Sequence, residues 1–128
     1  MDKSGPALIA MGRVLMAAMF IFEGAEKIRI YSGAQGYMEA HGVPGMLLPL
    51  VIALELGGGL CLAFGLYMRW WALAFAGFCL LAAVLFHLDF ADRMQMINFM
   101  KNVTIAGGFL VLASAGPGAL ALDNLRKA

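Results

Sequence analysis

The sequence predicts an all-α integral membrane protein, an antiparallel four-helix bundle whose solvent is mostly lipid. Hydrophobic residues make up 62% of the 128 residues, against about 45–50% in an ordinary soluble domain. Charged residues make up 13%, roughly half the usual share. The apolar residues also gather in four stretches of about 20 residues, which is the length that a helix needs to cross the hydrocarbon core.

The same composition excludes several other classes of protein. Disordered chains have the opposite balance, with low hydrophobicity and high charge. The formal net charge of +1 argues against a nucleic-acid partner, since a nucleic-acid-binding protein needs a basic face that displaces counterions. Strands of a membrane β-barrel would be shorter and would alternate strictly between apolar and polar residues.

The four apolar stretches are the predicted membrane spans. They are Ala7–Phe22 with an extension to about Ile30, Met46–Leu66, Trp70–Leu88 and Ile97–Ala115. Arg13 interrupts the first stretch, so we expect a permanent span there instead of a cleaved signal peptide. The chain has no internal repeat, linker or shift in composition. Residues 1–128 are therefore predicted to form one four-span domain.

The connections between the stretches predict how the spans are arranged. Ser32–Gly45 is rich in Gly and Pro and is predicted to be the longest loop. Leu66–Arg69 is a very short turn, so the second and third spans should be antiparallel neighbours. Asp89–Met96 is predicted to be a short polar loop, and Gly116-Pro117-Gly118 should end the fourth helix.

Four crossings place both chain ends on one face of the membrane, here called side A, and the opposite face is side B. The basic residues expected at side A are Lys3, Arg69, Arg126 and Lys127. Arg29 and Arg93 are expected at side B, with Lys27 and Lys101 nearer the helices. This small excess at side A predicts that both termini face the cytoplasm.

Polar residues of several spans fall beneath side B and are the candidate ligand-binding residues. They are Glu23, Glu26, Lys27, Glu55, His87, Lys101 and Asn102. A count of 1.5 Å per residue places Glu23 and Lys101 about 6 Å deep and Glu55 near the midplane. Because charged side chains in lipid usually face the bundle interior and pair, we expect Glu23, His87 and Lys101 to lie within a hydrogen bond or one water of each other. We expect Glu55 to contact Arg13 or Lys101.

This polar layer has two interpretations. In the first, ion pairs lock the bundle, with Arg13 in a structural ion pair. In the second, the groups line a site for a quinone headgroup. His87, Lys101 or Asn102 would then donate to the quinone carbonyls, while Glu23 or Glu26 relays protons.

A metal site is the weaker alternative. Its candidate ligands are Met94, Met96, Met100 and His87. Thioethers select Cu(I), but methionine is also a common flexible filler of helix surfaces. We therefore assign no metal.

A series of motifs follows in order along nearly the whole chain. They are Arg13, Phe20-x-x-x-Gly24-x-x-Lys27, Gly42-Val43-Pro44, Glu55-Leu56-Gly57-Gly58-Gly59-Leu60, Gly65-Leu66 closing at Arg69, His87, Lys101-Asn102 before Gly107-Gly108, Gly116-Pro117-Gly118 and Leu122-Asp123. In this order they resemble the DoxX family of small four-span membrane proteins. Ala121 departs from the pattern, since members often have Ser before Leu-Asp.

The resemblance implies a multi-pass protein of a bacterial inner membrane, with both termini in the cytoplasm. The wider group includes a subunit linked to thiosulfate:quinone oxidoreduction and relatives tied to redox-enzyme maturation, oxidative-stress complexes and receptor chaperoning. The leading hypothesis is a redox-associated subunit, such as the membrane subunit of an oxidoreductase. It would have a quinone-facing site near the periplasmic side and a redox partner protein.

Two alternatives to this hypothesis stay open. One is a non-catalytic anchor or assembly factor for a partner protein, and the other is a carrier of small solutes or ions. Membrane lipid is the expected surrounding, and a homo-oligomer is a further open arrangement. The sequence names no reaction, so whether the chain is part of an enzyme stays open as well.

The orientation can be tested with cysteines introduced at Ser4 and Gly36 in a chain whose Cys61 and Cys79 are replaced by alanine. Because both termini are predicted to be cytoplasmic, a membrane-impermeant thiol reagent added from the periplasm should label Gly36→Cys and not Ser4→Cys. Labelling of Ser4→Cys from the periplasm would reverse the assignment.

Overall fold

The computed structural model describes residues 4–126, and this part of the chain is helical with no β-strand. Four of its helices are long and apolar enough to cross a membrane, which confirms the predicted all-α, four-span class. The elements in order are α1 (Gly5–Arg29), α2 (Tyr31–Ala40), a second span (Gly45–Phe64) that contains α3 and α4, α5 (Met68–Phe86), α6 (Arg93–Ala115) and α7 (Asp123–Arg126).

The second span is a composite helix. It begins with a 3₁₀ turn, continues as α3, passes through a π-helical segment and ends as α4. The bounds of these parts are Gly45–Leu47, Leu48–Ile52, Ala53–Gly58 and Gly59–Phe64. A π-helical segment inside a span is rare and is often found at a functional site.

Glycines allow the first and second spans to pack with their backbones close together. A methyl group on Gly24 would lie 2.9 Å from the amide nitrogen of Leu56, and one on Gly59 would lie 2.8 Å from Cγ1 of Ile21. Since no hydrophobic effect drives helices together in lipid, close packing at small residues holds them. The two pairings run in opposite senses along the chain, so these spans are antiparallel.

Three phenylalanine rings fill the centre of the bundle between α1, α5 and α6. The ring centroid of Phe20 lies 4.5 Å from that of Phe75 and 5.6 Å from that of Phe109. Phe75 stacks on Phe109 at 5.3 Å. All three residues are buried, and each comes from a different span. The rings therefore set the depth at which the three spans meet.

The segment Ser32–Gly45, predicted to be a loop, is largely helical, because α2 occupies most of it. Ala34 and Met38 of α2 are buried and pack against Leu48 at the start of the second span. The prediction of a loop was wrong because a glycine disfavours a helix by only about 1 kcal/mol per residue. Burial of an apolar helix face outweighs that amount.

The fourth span also begins earlier than its apolar residues indicate. α6 begins at Arg93, inside the predicted loop Asp89–Met96, because the carboxylate of Asp92 accepts a hydrogen bond from the Met94 amide at 2.9 Å. Such an N-cap satisfies one of the free amides of the first turn. The polar first turn therefore belongs to the helix and extends it toward side B.

The C-terminal segment covers the turn between the second and third spans at side A. The carboxylate of Asp123 accepts hydrogen bonds from the amides of Tyr67 and Met68 at 2.7 and 2.9 Å. Gly65 lies in this turn with a φ of +74°, and a methyl group there would lie 2.4 Å from Cβ of Ala121. Both the left-handed backbone and the close packing therefore require glycine at this position.

Gly65→Ala should lower the free energy of unfolding by about 2 kcal/mol, because it combines left-handed backbone strain with overpacking against Ala121. Gly77→Ala is the matched control, since no atom lies within 4 Å of a methyl group at Gly77. Thermal unfolding in detergent measures both variants. Equal stability of the two would show that the turn does not need glycine.

Candidate functional site

The candidate site is centred on Glu55, a carboxylate buried inside the bundle. Glu55 lies in the π-helical segment of the second span and is 3% exposed. The glycines that follow it allow neighbouring elements to come close, and a methyl group on Gly58 would lie 2.6 Å from Cε3 of Trp71. Glu55 is thus held between the first and third spans.

Lys27, near the end of α1, connects this carboxylate to a second one. Its Nζ atom lies 2.9 Å from Oε1 of Glu55 and 3.5 Å from Oε2 of Glu23. The exposed fraction of the side chain rises from 4% for Glu55 to 25% for Lys27 and 47% for Glu23. These three residues are the polar cluster, which extends from the bundle interior to its surface. Two carboxylates and one ammonium give the cluster a formal charge of −1.

The charge of Glu55 is compensated by the Lys27 ammonium. The Nζ atom of Lys27 lies 2.9 Å from the buried Oε1 atom, which is the distance of a charge-assisted hydrogen bond. A buried acceptor without a hydrogen bond costs about 1–3 kcal/mol, and most buried polar groups avoid that cost. Oε1 therefore depends on the Lys27 ammonium for its stabilisation inside the bundle.

Glu26 and Lys101 lie outside the polar cluster. Glu26 pairs with Arg29 on the same helix, where Arg29 Nε donates to both carboxylate oxygens at 3.1 Å. Lys101 is exposed on the outer surface of α6, where it lines a shallow groove with apolar neighbours. In the described part of the chain, no hydrogen bond or ion pair joins Lys101 to another residue.

His87 and Asn102 also have partners of their own outside the cluster. Nδ1 of His87 lies 2.8 Å from Oε1 of Gln95, and this contact joins the end of α5 to the first turns of α6. The Asn102 side chain donates to the carbonyl of Asn98, one turn earlier in α6, at 3.1 Å. These two residues are therefore not brought to Glu55.

Among the described residues, no direct hydrogen bond or ion pair joins Glu23, His87 and Lys101 to one another, and each lies with other neighbours. The expected partner of Glu55 was wrong, since Glu55 pairs with Lys27 and not with Arg13 or Lys101. A depth count gives the height of a residue along its helix but not the face from which its side chain projects. Lys101 has a suitable height, but it projects outward from α6.

Arg13 donates hydrogen bonds to three backbone carbonyls at side A. Its Nη1 atom donates to the carbonyl of Pro117 at 2.5 Å, and its Nη2 atom donates to those of Leu120 and Ala63 at 2.8 and 3.2 Å. α1 extends past the end of the second span, so Arg13 lies level with the turn at Gly65, where carbonyls at a helix end lack helical partners.

The weaker metal hypothesis named three methionines of α6 together with His87. Among residues 4–126, no three His, Cys, Asp or Glu side chains are placed to hold a metal ion. Met94, Met96 and Met100 are exposed on α6.

The π-helical segment was not predicted, although the run Gly57-Gly58-Gly59 after Glu55 was a signal for close helix approach at this position.

Comparison with known proteins gives consistent matches. The family model described as DoxX matches residues 8–88. Inner membrane protein YqjF of Escherichia coli (strain K12) is 55% identical over 125 residues, which cover 98% of this chain and 96% of that protein. Inner membrane protein YphA of the same organism is 36% identical over 126 residues, which cover 93% of this chain and 90% of that protein. No solved structure gives a significant match.

Lys27→Met should lower the free energy of unfolding by about 3 kcal/mol, because it leaves the buried Glu55 without its compensating charge. The double variant Lys27→Met/Glu55→Gln should recover most of this loss, since neither charge remains. Lys101→Met is the control and should change stability by less than about 0.5 kcal/mol. Unfolding in mixed micelles measures all three, and a double variant as unstable as Lys27→Met would contradict the pairing.

Proposed function

The chain belongs to the DoxX family and is an integral inner-membrane protein, and from that premise we propose that it is a redox-associated subunit whose polar cluster receives a quinone or quinol headgroup. The observation that carries the proposal is the polar cluster, in which the buried Glu55 pairs with Lys27 and Lys27 also approaches the half-exposed Glu23. A charged group placed at such cost within a membrane span is by default a candidate for a functional role.

The three residues of the cluster match the polar atoms of such a headgroup. A quinone carbonyl accepts a hydrogen bond, and the Lys27 ammonium has three N–H groups to donate. A quinol hydroxyl donates, and the Glu23 carboxylate accepts. Because the Glu23 side chain is half exposed on a span whose outer surface faces lipid, the isoprenoid tail of the ligand can stay in the hydrocarbon while the headgroup reaches the cluster.

The formal charge of the polar cluster also suits the uptake of one of the two protons that a quinol releases. Oxidation of a quinol to a quinone releases two protons and two electrons. One proton taken up by Glu23 or Glu55 brings the formal charge of the cluster from −1 to zero, which lowers the cost of the cluster in lipid. The second proton leaves to water at side B, and the electrons pass to a flavin or metal centre of a partner protein.

The quinone proposal is tested by lipid extraction and by ligand binding. Mass spectrometry of the gently purified protein should detect a bound quinone. A short-chain benzoquinone analogue should bind about tenfold more weakly to Glu23→Gln and to Lys27→Gln, since each loses a charge-assisted hydrogen bond. Glu26→Gln is the matched control on the same helix and should bind the analogue as the wild type does, because Glu26 pairs with Arg29.

Two results would contradict the proposal. One is the absence of both an extracted quinone and analogue binding to the wild type. The other is analogue binding that falls equally in Glu23→Gln and Glu26→Gln, because Glu26 pairs with Arg29 outside the polar cluster and its loss would not report the cluster. Unfolding measurements on each variant separate weaker binding from loss of the fold.

A non-catalytic anchor or assembly factor is the second candidate. It is favoured by the internal pairing of the buried charges, since Lys27 compensates Glu55 and backbone carbonyls hold Arg13. If this candidate is right, Lys27→Gln lowers stability while no quinone binds to any variant. The carrier alternative has no comparable support, because the buried rings of Phe20, Phe75 and Phe109 fill the centre of the bundle.

A further inference from the structure

The outer surface of α6 carries a groove that the proposed quinone site does not use. The groove has a volume of about 350 Å³ and is lined by Ile97, Met100, Lys101, Thr104 and Ile105. This volume is near the lower end of the range of about 300–1,000 Å³ seen for small-molecule sites. The lining residues recur at spacings of three and four, so they share one face of the helix.

The lining of this groove contains one charged side chain, which is that of Lys101. Lys101 is exposed and has neither a hydrogen bond nor an ion pair with any residue from 4 to 126. The hydroxyl of Thr104 donates to the carbonyl of Met100 at 2.9 Å, so it is already committed within the helix. The remaining lining is apolar. The groove therefore offers a ligand one positive charge and a hydrocarbon surface.

A second cation lies on the same helix face, at side B. Arg93 precedes Lys101 by eight residues, which is about 2.2 helical turns and about 12 Å along the axis, so the two positions are about 80° apart around the helix. Arg93 is exposed and, within the described residues, has no ion pair. The acid next to it, Asp92, uses Oδ1 to cap α6 at Met94. The face thus has a positive charge at each end of a two-turn apolar stretch.

The depth of Lys101 suits a contact with a lipid headgroup. Phe75 of α5 stacks on Phe109 of α6, so Lys101, eight residues before Phe109, lies level with the last turn of α5, which ends at Phe86. From this depth a lysine stem lies along the apolar surface while its ammonium reaches the boundary of the hydrocarbon. Arg93 marks the start of the helix on the water side of that boundary.

From these observations we propose that this face of α6 binds one anionic phospholipid, with its phosphate between Lys101 and Arg93 and an acyl chain in the groove. Both cations suit a phosphate, since the lysine ammonium attracts it as a compact charge and the arginine guanidinium offers a planar fork of donors. A quinone headgroup is the poorer fit, because the groove lining has no carboxylate that could accept a hydrogen bond or a proton from a quinol hydroxyl. The proposal is independent of the quinone site, since it shares no residue with the polar cluster.

The test uses the full-length chain in mild detergent, with phosphatidylglycerol as the anionic probe and phosphatidylethanolamine as the comparison. Native mass spectrometry should show that wild type retains phosphatidylglycerol preferentially. Lys101→Gln and Arg93→Gln should each weaken its retention about fivefold, and Lys101→Arg should restore it. Arg29→Gln, which removes a side-B cation paired with Glu26, is the control and should behave as wild type.

Three outcomes would overturn the proposal. Equal retention of the two lipids by wild type would show that the groove does not select charge. Unchanged retention of phosphatidylglycerol in Lys101→Gln would remove the assigned contact. A photo-crosslinker at Met100 that captures a second copy of the chain or another protein, and not lipid, would show a protein interface. Circular dichroism of Lys101→Gln and Lys101→Arg shows whether each variant keeps its helical fold.

Discussion

The ion pair between Lys27 and Glu55 is the interaction on which the side-B half of the bundle depends. A single charge in the hydrocarbon costs several kcal/mol, and Glu55 is nearly inaccessible, so its carboxylate needs a cation from another helix. That cation reaches it because Gly24 and Gly59 bring the first two spans close together. Small residues thus make the electrostatic contact possible, and the electrostatic contact in turn holds the small-residue interface together.

The two buried charges of the bundle are stabilised by different means. Glu55 pairs with an opposite charge. Arg13 instead donates to the carbonyl of Ala63 at the end of the second span, which lacks a helical partner, and to those of Pro117 and Leu120 in the segment between α6 and α7. Between the two levels the bundle is filled by aromatic rings. The polar groups therefore stabilise the two ends of the bundle, while its middle is apolar. Glu23 is the residue of the polar cluster with the most exposed side chain.

Lys27 and Lys101 show how the face of a helix decides the role of a residue. Both are lysines within a few turns of side B on predicted membrane spans. Lys27 turns into the bundle and compensates a buried acid, so its loss affects both the fold and any chemistry at Glu55. Lys101 turns outward beside apolar residues, so its partners come from the surrounding lipid or from another molecule.

The sequence by itself determined the class of the fold, the four spans and the family, because hydropathy adds up along a continuous stretch and motif order can be read directly from the chain. It also identified Glu23, Lys27 and Glu55 as candidates, since charge in an apolar run is visible without a structure. It did not determine that Lys27 is the partner of Glu55, that α2 is helical or that Glu55 lies in a π-helical segment. Only the tertiary structure decided these points, because they depend on how each helix is rotated and how closely it approaches its neighbours. Rotation and approach are set by contacts between residues far apart in sequence.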